Sequence, residues 1–344
     1  MQVPPPAEEM KEALNWEPVE GKKVRCELCP HRCVIAPGRS GVCGVRWNVD
    51  GKLYTEIYGK VTAMAVDPIE KKPLYHFYPG RGILSVSSYG CNFRCLHCQN
   101  WELSQEYRGL LRVTRLNPEE LLERALSSRG SVGVAFTYNE PLIWFEYLRD
   151  LFPLLKEKGQ QTVLVTNGYI NPEPLEELLP HLSAANVDVK GFSEEFYRRV
   201  VGGRLGPVLD TVRMMSSQGV HVELTYLVIP TLNDDDRQVK GFIEWVLNEV
   251  GEKTVVHFTR FHPDYRLNHL PPTPMKTLQR IYSTAREMGL KHVYLGNVPP
   301  GEYDATYCPA CGKPVIKRDH FWITEMNLKE GRCAHCGERV IEYF

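Results

Sequence analysis

Eleven cysteines fall into three tight groups: Cys91, Cys95 and Cys98; Cys26, Cys29, Cys33 and Cys43; and Cys308, Cys311, Cys333 and Cys336. Thiolates two or three residues apart suit soft metal sites, because neighbouring turns can aim several sulfurs at one ion or cluster. Scattered core cysteines do not group this way. The central group lies in SYG-CNFRCLHC-QNW, a loop directly after a short β-branched run. Its three thiolates can hold three corners of a cubane iron–sulfur cluster, and no fourth cysteine stands nearby. One iron then keeps an open position, as a metal must to bind substrate rather than only stabilise structure. Spacing alone also allows a zinc ion completed by His97 or by a distant residue.

The outer groups point to other uses of the same ligand. Cys308-x2-Cys311 and Cys333-x2-Cys336 form a pair of knuckles, the pattern of a closed four-thiolate site. Zinc is the first expectation there, and a rubredoxin-like single iron has the same ligands. Cys26, Cys29, Cys33 and Cys43 place four thiolates in 18 residues. This spacing suits zinc or a second iron–sulfur cluster, with zinc slightly preferred and His31 a substitute ligand. The basic residues of the C-terminal segment (Lys313, Lys317, Arg318, Lys329, Arg332) are mixed with acids, which weakens any nucleic-acid reading.

These cysteines need a scaffold, and the pattern between residues 82 and 300 supplies one. Short β-branched runs recur at 83–88, 132–137, 162–167, 184–189, 220–229, 254–261 and 292–296, with helix-like stretches between them. Asn117-Pro118, Asn171-Pro172 and Thr273-Pro274 give helix starts, a cap followed by proline in the first turn. Asn233 with Asp234, Asp235 and Asp236 opens another, the acids satisfying free amides at the helix start. Strands alternating with helices make a parallel sheet, and six or seven such units suit a barrel. The expected fold is α/β, a partial or near-complete (β/α) TIM-type barrel over 81–303. A small Cys-rich β module precedes it (1–80), and a zinc-ribbon-like module follows (304–344). Within the first module, Asp50-Gly51 between two alternating runs predicts a hairpin. A short helix is expected over Ala7 to Trp16. Lys71, Lys72 and His76 read either as solvated charges or as a lining of the substrate opening.

Bulk properties narrow the class. Hydrophobic residues make up 43%, charged residues 24%, and the net charge is −1. No global basic field attracts nucleic acid or an acidic membrane, and no apolar run is long enough to span a bilayer. The acidic, proline-rich start has no signal-peptide pattern. A cytoplasmic chain with metal sites in place of disulfides is the expectation.

CxxxCxxC after the first strand, in GCNFRCLHCQNWELSQ, is followed by FTYNEP, LVTNGY, VDVKGF and LVIPTLND. With these motifs the chain resembles radical S-adenosylmethionine (SAM) enzymes of the pyruvate formate-lyase-activating-enzyme-like branch. More narrowly, it resembles the radical SAM member of the AmmeMemoRadiSam system. The likeness covers most of the chain, including CELCPHRC…GRSGVCGVR and the C-terminal ribbon. It implies a 4Fe–4S cluster on Cys91, Cys95 and Cys98, with SAM chelating the open iron. Reductive cleavage would then give methionine and a 5′-deoxyadenosyl radical that takes hydrogen from a substrate. It assigns Glu140, after the second strand, to the SAM amino group, with Asn139 beside it in the cofactor site. The wider family often has Gly-Gly-Glu there, so Tyr138-Asn139 is a departure. It further implies SAM contacts at Asn167, at Asp188 and Lys190, and at His262 on the adenine side, with a weaker indication at Asn233. On residue pattern alone, Asp188 and Lys190 could be a surface ion pair. A ferredoxin or flavodoxin-type electron donor is implied, and AMMECR-type and Memo-type proteins as associates. Two other functions compete: an activase forming a glycyl radical on a partner enzyme, and a non-catalytic metal-binding adaptor.

Overall fold

The computed structural model describes residues 4–107 and 111–344. An eight-stranded sheet runs β1 (Ala63–Pro68), β2 (Gly82–Ser87), β3 (Ser131–Phe136), β4 (Gln161–Thr166), β5 (Ala184–Asp188), β6 (His221–Val228), β7 (Val255–Arg260) and β8 (His292–Gly296), in that spatial order. β1 joins β2 antiparallel. From β2 to β8 every neighbouring pair is parallel. Among the described residues β1 and β8 do not pair, so the barrel is partial. All seven predicted strands form. They read as near-continuous apolar runs because both faces are covered: Val134, Ala135 and Phe136 are all fully buried.

Helices α1 (Pro118–Ser127), α2 (Phe145–Glu157), α3 (Pro172–Leu178), α4 (Leu205–Ser217), α5 (Asp236–Glu249) and α6 (Met275–Met288) fill the crossovers. Asn117 and Glu120 exchange backbone bonds in a capping box. Asp235 caps α5 by accepting from Gln238 N, so the acidic run serves the helix start. Thr273 does not cap α6; its hydroxyl donates to Val228 O and accepts from Phe261 N, tying β6 to β7.

The N-terminal segment corrects one expectation. Ala7–Glu9 is a single 3-10 turn, and Lys11–Glu12 then pairs with Thr55 and Tyr54 as a short strand. A lone short helix is marginal in water, and here sheet pairing takes the backbone instead. Arg46–Val49 and Lys52–Thr55 form the Asp50-Gly51 hairpin, with both turn residues at positive φ. Trp16–Val19, Lys23–Cys26 and Val34–Ile35 make a second small sheet. This region is anchored to α2 by Arg46 and Glu146, 2.8 Å apart and both buried. Glu146 also accepts from Leu14 N.

The C-terminal strands Thr306–Tyr307, Pro314–Asp319 and Trp322–Met326 form a three-stranded sheet. It docks through Tyr343, whose carbonyl accepts from Tyr78 N, and through Arg318, which donates to Tyr75 O and Asp304 O. Arg318 is thus buried rather than part of a basic surface. Glu223 of β6 accepts from the amides of Tyr75 and His76 and from the rings of His221 and His257. These groups fill the barrel toward the N-terminal ends of its strands. His76 and Lys72 are buried, correcting the solvated reading for both, and neither lines the cavity described below. Among the described residues no helix is long and apolar enough to cross a membrane.

Candidate functional site

The strands β2 to β5 end in polar residues, and these converge on one cavity of about 310 Å³. Its wall contains Cys91, Cys95 and Cys98 from the loop after β2. Asn139 and Glu140 follow β3, Thr166 and Asn167 close β4, and Asp188 and Lys190 come from the end of β5. This is the end where parallel barrels carry their active sites.

The cysteine loop is held from several sides. Leu96 N and Arg94 N donate to Val200 O and Val201 O, and Arg266 N donates to Leu96 O. Phe93 N donates to Cys91 Sγ at 3.3 Å, and Cys98 Sγ lies 3.1 Å from Ser104 Oγ. Gly90 sits at φ 83, and a Cβ there would meet Val45 Cγ1 at 2.6 Å and Cys43 O at 2.9 Å. Burial, reinforced by Glu140 and the other thiols, pushes Cys91 well above the usual thiol range. Burial likewise pushes Cys95 up to about 12, against the pull of Lys190. Cys91 and Cys95 are therefore thiols that a cationic metal centre would deprotonate. His97, also in the wall, has both ring nitrogens buried without a hydrogen-bond partner. Burial and then Lys190 lower its pKa to about 3, so the ring is neutral. Among the described residues His97 and the three cysteines do not converge closely as a single-ion set.

Glu140 organises the next two loops. Its Oε1 accepts from Leu142 N (2.9 Å) and Thr166 Oγ1 (2.6 Å), and its Oε2 accepts from Asn167 N (2.8 Å). It also caps the turn Pro141–Trp144. Oε2 retains capacity for a further donor. Burial raises its pKa to about 7 despite those three donors. Asn139 accepts from Ser88 N and donates to Gly90 O, which fixes the start of the cysteine loop. Asn167 donates to Asn92 Oδ1 (2.9 Å) and reaches Cys91 Sγ at 3.7 Å. Lys190 Nζ stands 2.6 Å from Asp188 Oδ2, with side chains 20% and 29% exposed. Burial opposes the lysine's charge, but Asp188, Cys95 and Cys98 outweigh it and raise its pKa. The pair is therefore a feature of the cavity wall and not of the outer surface.

Two residues singled out in the sequence stand elsewhere. His262 is exposed, its Nδ1 near Pro263 O, and it does not line the cavity. Asn233 is buried behind the wall, donating to Lys190 O and Leu227 O and so fixing the backbone of Lys190. Several contributors were not foreseen: Asn92, Thr166, Ser104 and the role of Tyr138. Tyr138 adopts φ 73, a left-handed backbone that suits the glycine common at this place in the wider family. Its hydroxyl donates to Asp67 (2.6 Å), which also pairs with buried Lys72 (2.7 Å). That anchoring offsets the backbone cost. Asn92 donates to Tyr169 O; its place between Cys91 and Cys95 was the only signal of its role.

The ribbon is tighter. Cys308 Sγ and Cys336 Sγ are 3.5 Å apart, and Cys311 Sγ and Cys333 Sγ 3.8 Å. All four sulfurs lie within 4.8 Å of one another. A tetrahedral ion about 2.3 Å from each thiolate needs sulfur–sulfur edges of about 3.8 Å. All eleven cysteines are free.

A family model described as the Radical SAM superfamily matches residues 85–243. An uncharacterized protein of Methanocaldococcus jannaschii is 43% identical over 333 residues, 96% of this chain and 99% of that protein. The pyruvate formate-lyase 1-activating enzyme of Escherichia coli is 25% identical over 230 residues, 62% of this chain and 93% of its own length. The pyruvate formate-lyase-activating enzyme of Clostridium pasteurianum is 29% identical over 175 residues, covering 49% and 71%.

Proposed function

The chain belongs to the radical SAM superfamily, and from that premise we propose that it cleaves SAM reductively at a 4Fe–4S cluster held by Cys91, Cys95 and Cys98 to start hydrogen abstraction from a substrate. The observation that carries this reading is one cavity in which three thiols meet Glu140, Asp188 and Lys190 at successive strand ends. When bound, the cluster supplies the electron that breaks the sulfonium C–S bond, and the 5′-deoxyadenosyl radical so released takes hydrogen from substrate.

The chain's own residues bind, orient and exclude. Lys190 offers an ammonium to the SAM carboxylate, and Asp188 fixes its rotamer. Glu140 Oε2 has the capacity to accept from the SAM ammonium, and that cation would favour the ionised carboxylate. Asn139 and Asn167 hold the cysteine loop in register with β3 and β4. Phe93, Val165 and Leu227 supply apolar wall that keeps water from the reacting centre.

The ribbon's geometry favours zinc as a structural ion. A low-potential ferredoxin or flavodoxin-type protein is the reductant this chemistry requires. Kinship with formate-lyase activating enzymes supports, as a second reading, glycyl-radical formation on a partner enzyme. Association with AMMECR-type and Memo-type proteins rests on the motif resemblance alone.

The test is anaerobic reconstitution with iron and sulfide, then dithionite and SAM. The wild-type chain should release 5′-deoxyadenosine, and Cys95→Ala should release none. Undiminished release from Cys95→Ala would remove the basis of the reading.

A further inference from the structure

We infer that Tyr138 is a positioning residue for SAM: its side chain, clamped on Asp67 of the edge strand β1, holds the left-handed turn from which Asn139 and Glu140 reach the cofactor site. The inference rests on the radical SAM reading above. Tyr138 is the pivot of a three-residue turn at the end of β3, where Asn139 N donates to Thr137 O at 3.0 Å across a residue at φ 73. A bond from residue i to i+2 across positive φ is the rare and strained form of such a turn. Glycine adopts that backbone freely, and a residue with a side chain does so at a cost. The site depends on the turn all the same. Thr137 N still belongs to the sheet, donating to Val86 O at 3.0 Å. Two residues on, Asn139 already bonds Ser88 N and Gly90 O at the start of the cysteine loop. Glu140 then accepts from Thr166 Oγ1 and Asn167 N at the end of β4. An extended residue at 138 would carry the chain onward along β3 and take both side chains out of those bonds.

What holds the turn lies outside the loop. The Tyr138 hydroxyl donates to Asp67 Oδ2 at 2.6 Å and accepts from Lys72 Nζ at 3.2 Å. Lys72 Nζ also stands 4.6 Å from the centroid of the Tyr138 ring, so the phenol is gripped at its edge and at its face. Asp67 is itself fixed by Lys72 at 2.7 Å and by Lys71 at 2.9 Å. Asp67 and Lys72 are buried, and a bond to a charged acceptor in such a place is among the stronger ones. In the sheet β2 lies between β1 and β3, so the ring bridges the antiparallel edge strand to the loop that carries Glu140. Lys71 and Lys72, from the turn after β1, thus act on the site through Tyr138 and not by lining it.

Three substitutions at this position separate backbone from side chain. The cluster-free full chain is compared first, by urea titration. Alanine ordinarily stabilises a chain relative to glycine, and the order reverses where φ is positive. Tyr138→Gly should therefore unfold at a higher urea concentration than Tyr138→Ala, and the opposite order overturns the inference. SAM binding to the reconstituted chain is then measured by equilibrium dialysis. Tyr138→Ala should weaken it on the order of tenfold. Tyr138→Phe keeps the ring without the hydroxyl bond and should weaken it about threefold. Tyr138→Gly should recover to within about twofold of the wild type. A glycine variant as weak as the alanine one means that the side chain itself touches cofactor or substrate, which overturns the inference. An alanine variant that binds SAM as the wild type does overturns it too. If the wild-type chain releases no 5′-deoxyadenosine with dithionite, the radical reading falls as well; if it does and only the order of variants fails, this inference falls alone.

Discussion

At the C-terminal ribbon four sulfurs converge within 4.8 Å, two of them exposed and two packed in the ribbon's own apolar cluster. At the barrel mouth three sulfurs line a cavity, Cys95 buried and Cys91 and Cys98 half-buried, each loop around them fixed by bonds from a different strand end. The ligand is the same, and what differs is what stands in the remaining direction. An ion held by all four ribbon sulfurs would keep no open position for a substrate. The barrel leaves one direction facing a cavity with an ammonium and carboxylates, and so can do chemistry.

The sharpest way to break this contrast is to remove one ligand from each region. Cys98→Ser in the barrel should bring 5′-deoxyadenosine below detection while leaving the ribbon's metal content at its wild-type value. Metal analysis and product chromatography on one preparation read both. Cys311→Ser in the ribbon should do the reverse, losing the C-terminal metal and keeping SAM cleavage. If both substitutions abolish cleavage equally, the division into a structural and a reactive centre is wrong.

A smaller effect separates the two by stability. Binding of a structural ion is coupled to local folding. Chelator treatment of the wild-type chain should therefore expose residues 307–344 to protease while the barrel stays resistant. The ribbon's own apolar cluster is small, consisting of Cys308, Val315, Ile316, Cys333, Val340 and Ile341. Simultaneous digestion of barrel and ribbon would show that docking through Arg318 and Tyr343 makes them one cooperative unit.

How far the sequence announced these regions follows from the range of the forces involved. The knuckles, the CxxxCxxC loop, the Asp50-Gly51 hairpin and the seven core strands are local patterns, and each formed where local physics puts it. The helix expected over Ala7–Trp16 failed because its backbone pairs with Thr55 and Tyr54, a contact that no window of adjacent residues contains. The antiparallel strand Ala63–Pro68 escaped notice for the same reason. In the site, Glu140, Asn167, Asp188 and Lys190 were visible as polar residues at strand ends. Asn92 and Thr166 were not, because their roles exist only where loops from different strands meet. His262 followed a strand as the others did, yet the chain carries it outward.

Glu140 gives an intermediate effect. Gln has one acceptor oxygen where Glu140 uses two, so Glu140→Gln leaves a buried donor unmatched at a cost of about 1–3 kcal/mol. Affinity for SAM should fall about tenfold, equivalent to about 1.4 kcal/mol, by equilibrium dialysis. The pH dependence carries a definite sign. Burial holds the folded carboxyl near 7, above its ordinary 4.5. The stability due to its protonated form is therefore fully present below about pH 4.5 and lost as pH rises through about 7. Between about pH 8 and about pH 5, the stability of the cluster-free wild-type chain relative to Glu140→Gln should shift in the wild type's favour as pH falls. A flat difference in denaturant titrations across that range would mean that the carboxylate is not buried as described.

The smallest expected effect bounds the site from outside. Asp235 caps α5 through Gln238 N at 3.1 Å and also accepts from Gln238 Nε2 at 2.7 Å. It lies only two residues from Asn233, which fixes the backbone of Lys190. If polar residues in this stretch contribute only locally, Asp235→Ala costs about 1 kcal/mol of unfolding free energy. SAM cleavage at saturating SAM should then be unchanged. If cleavage falls along with stability, the helix start is coupled through Asn233 to the ammonium of Lys190. The reactive region would then extend a full layer behind the wall.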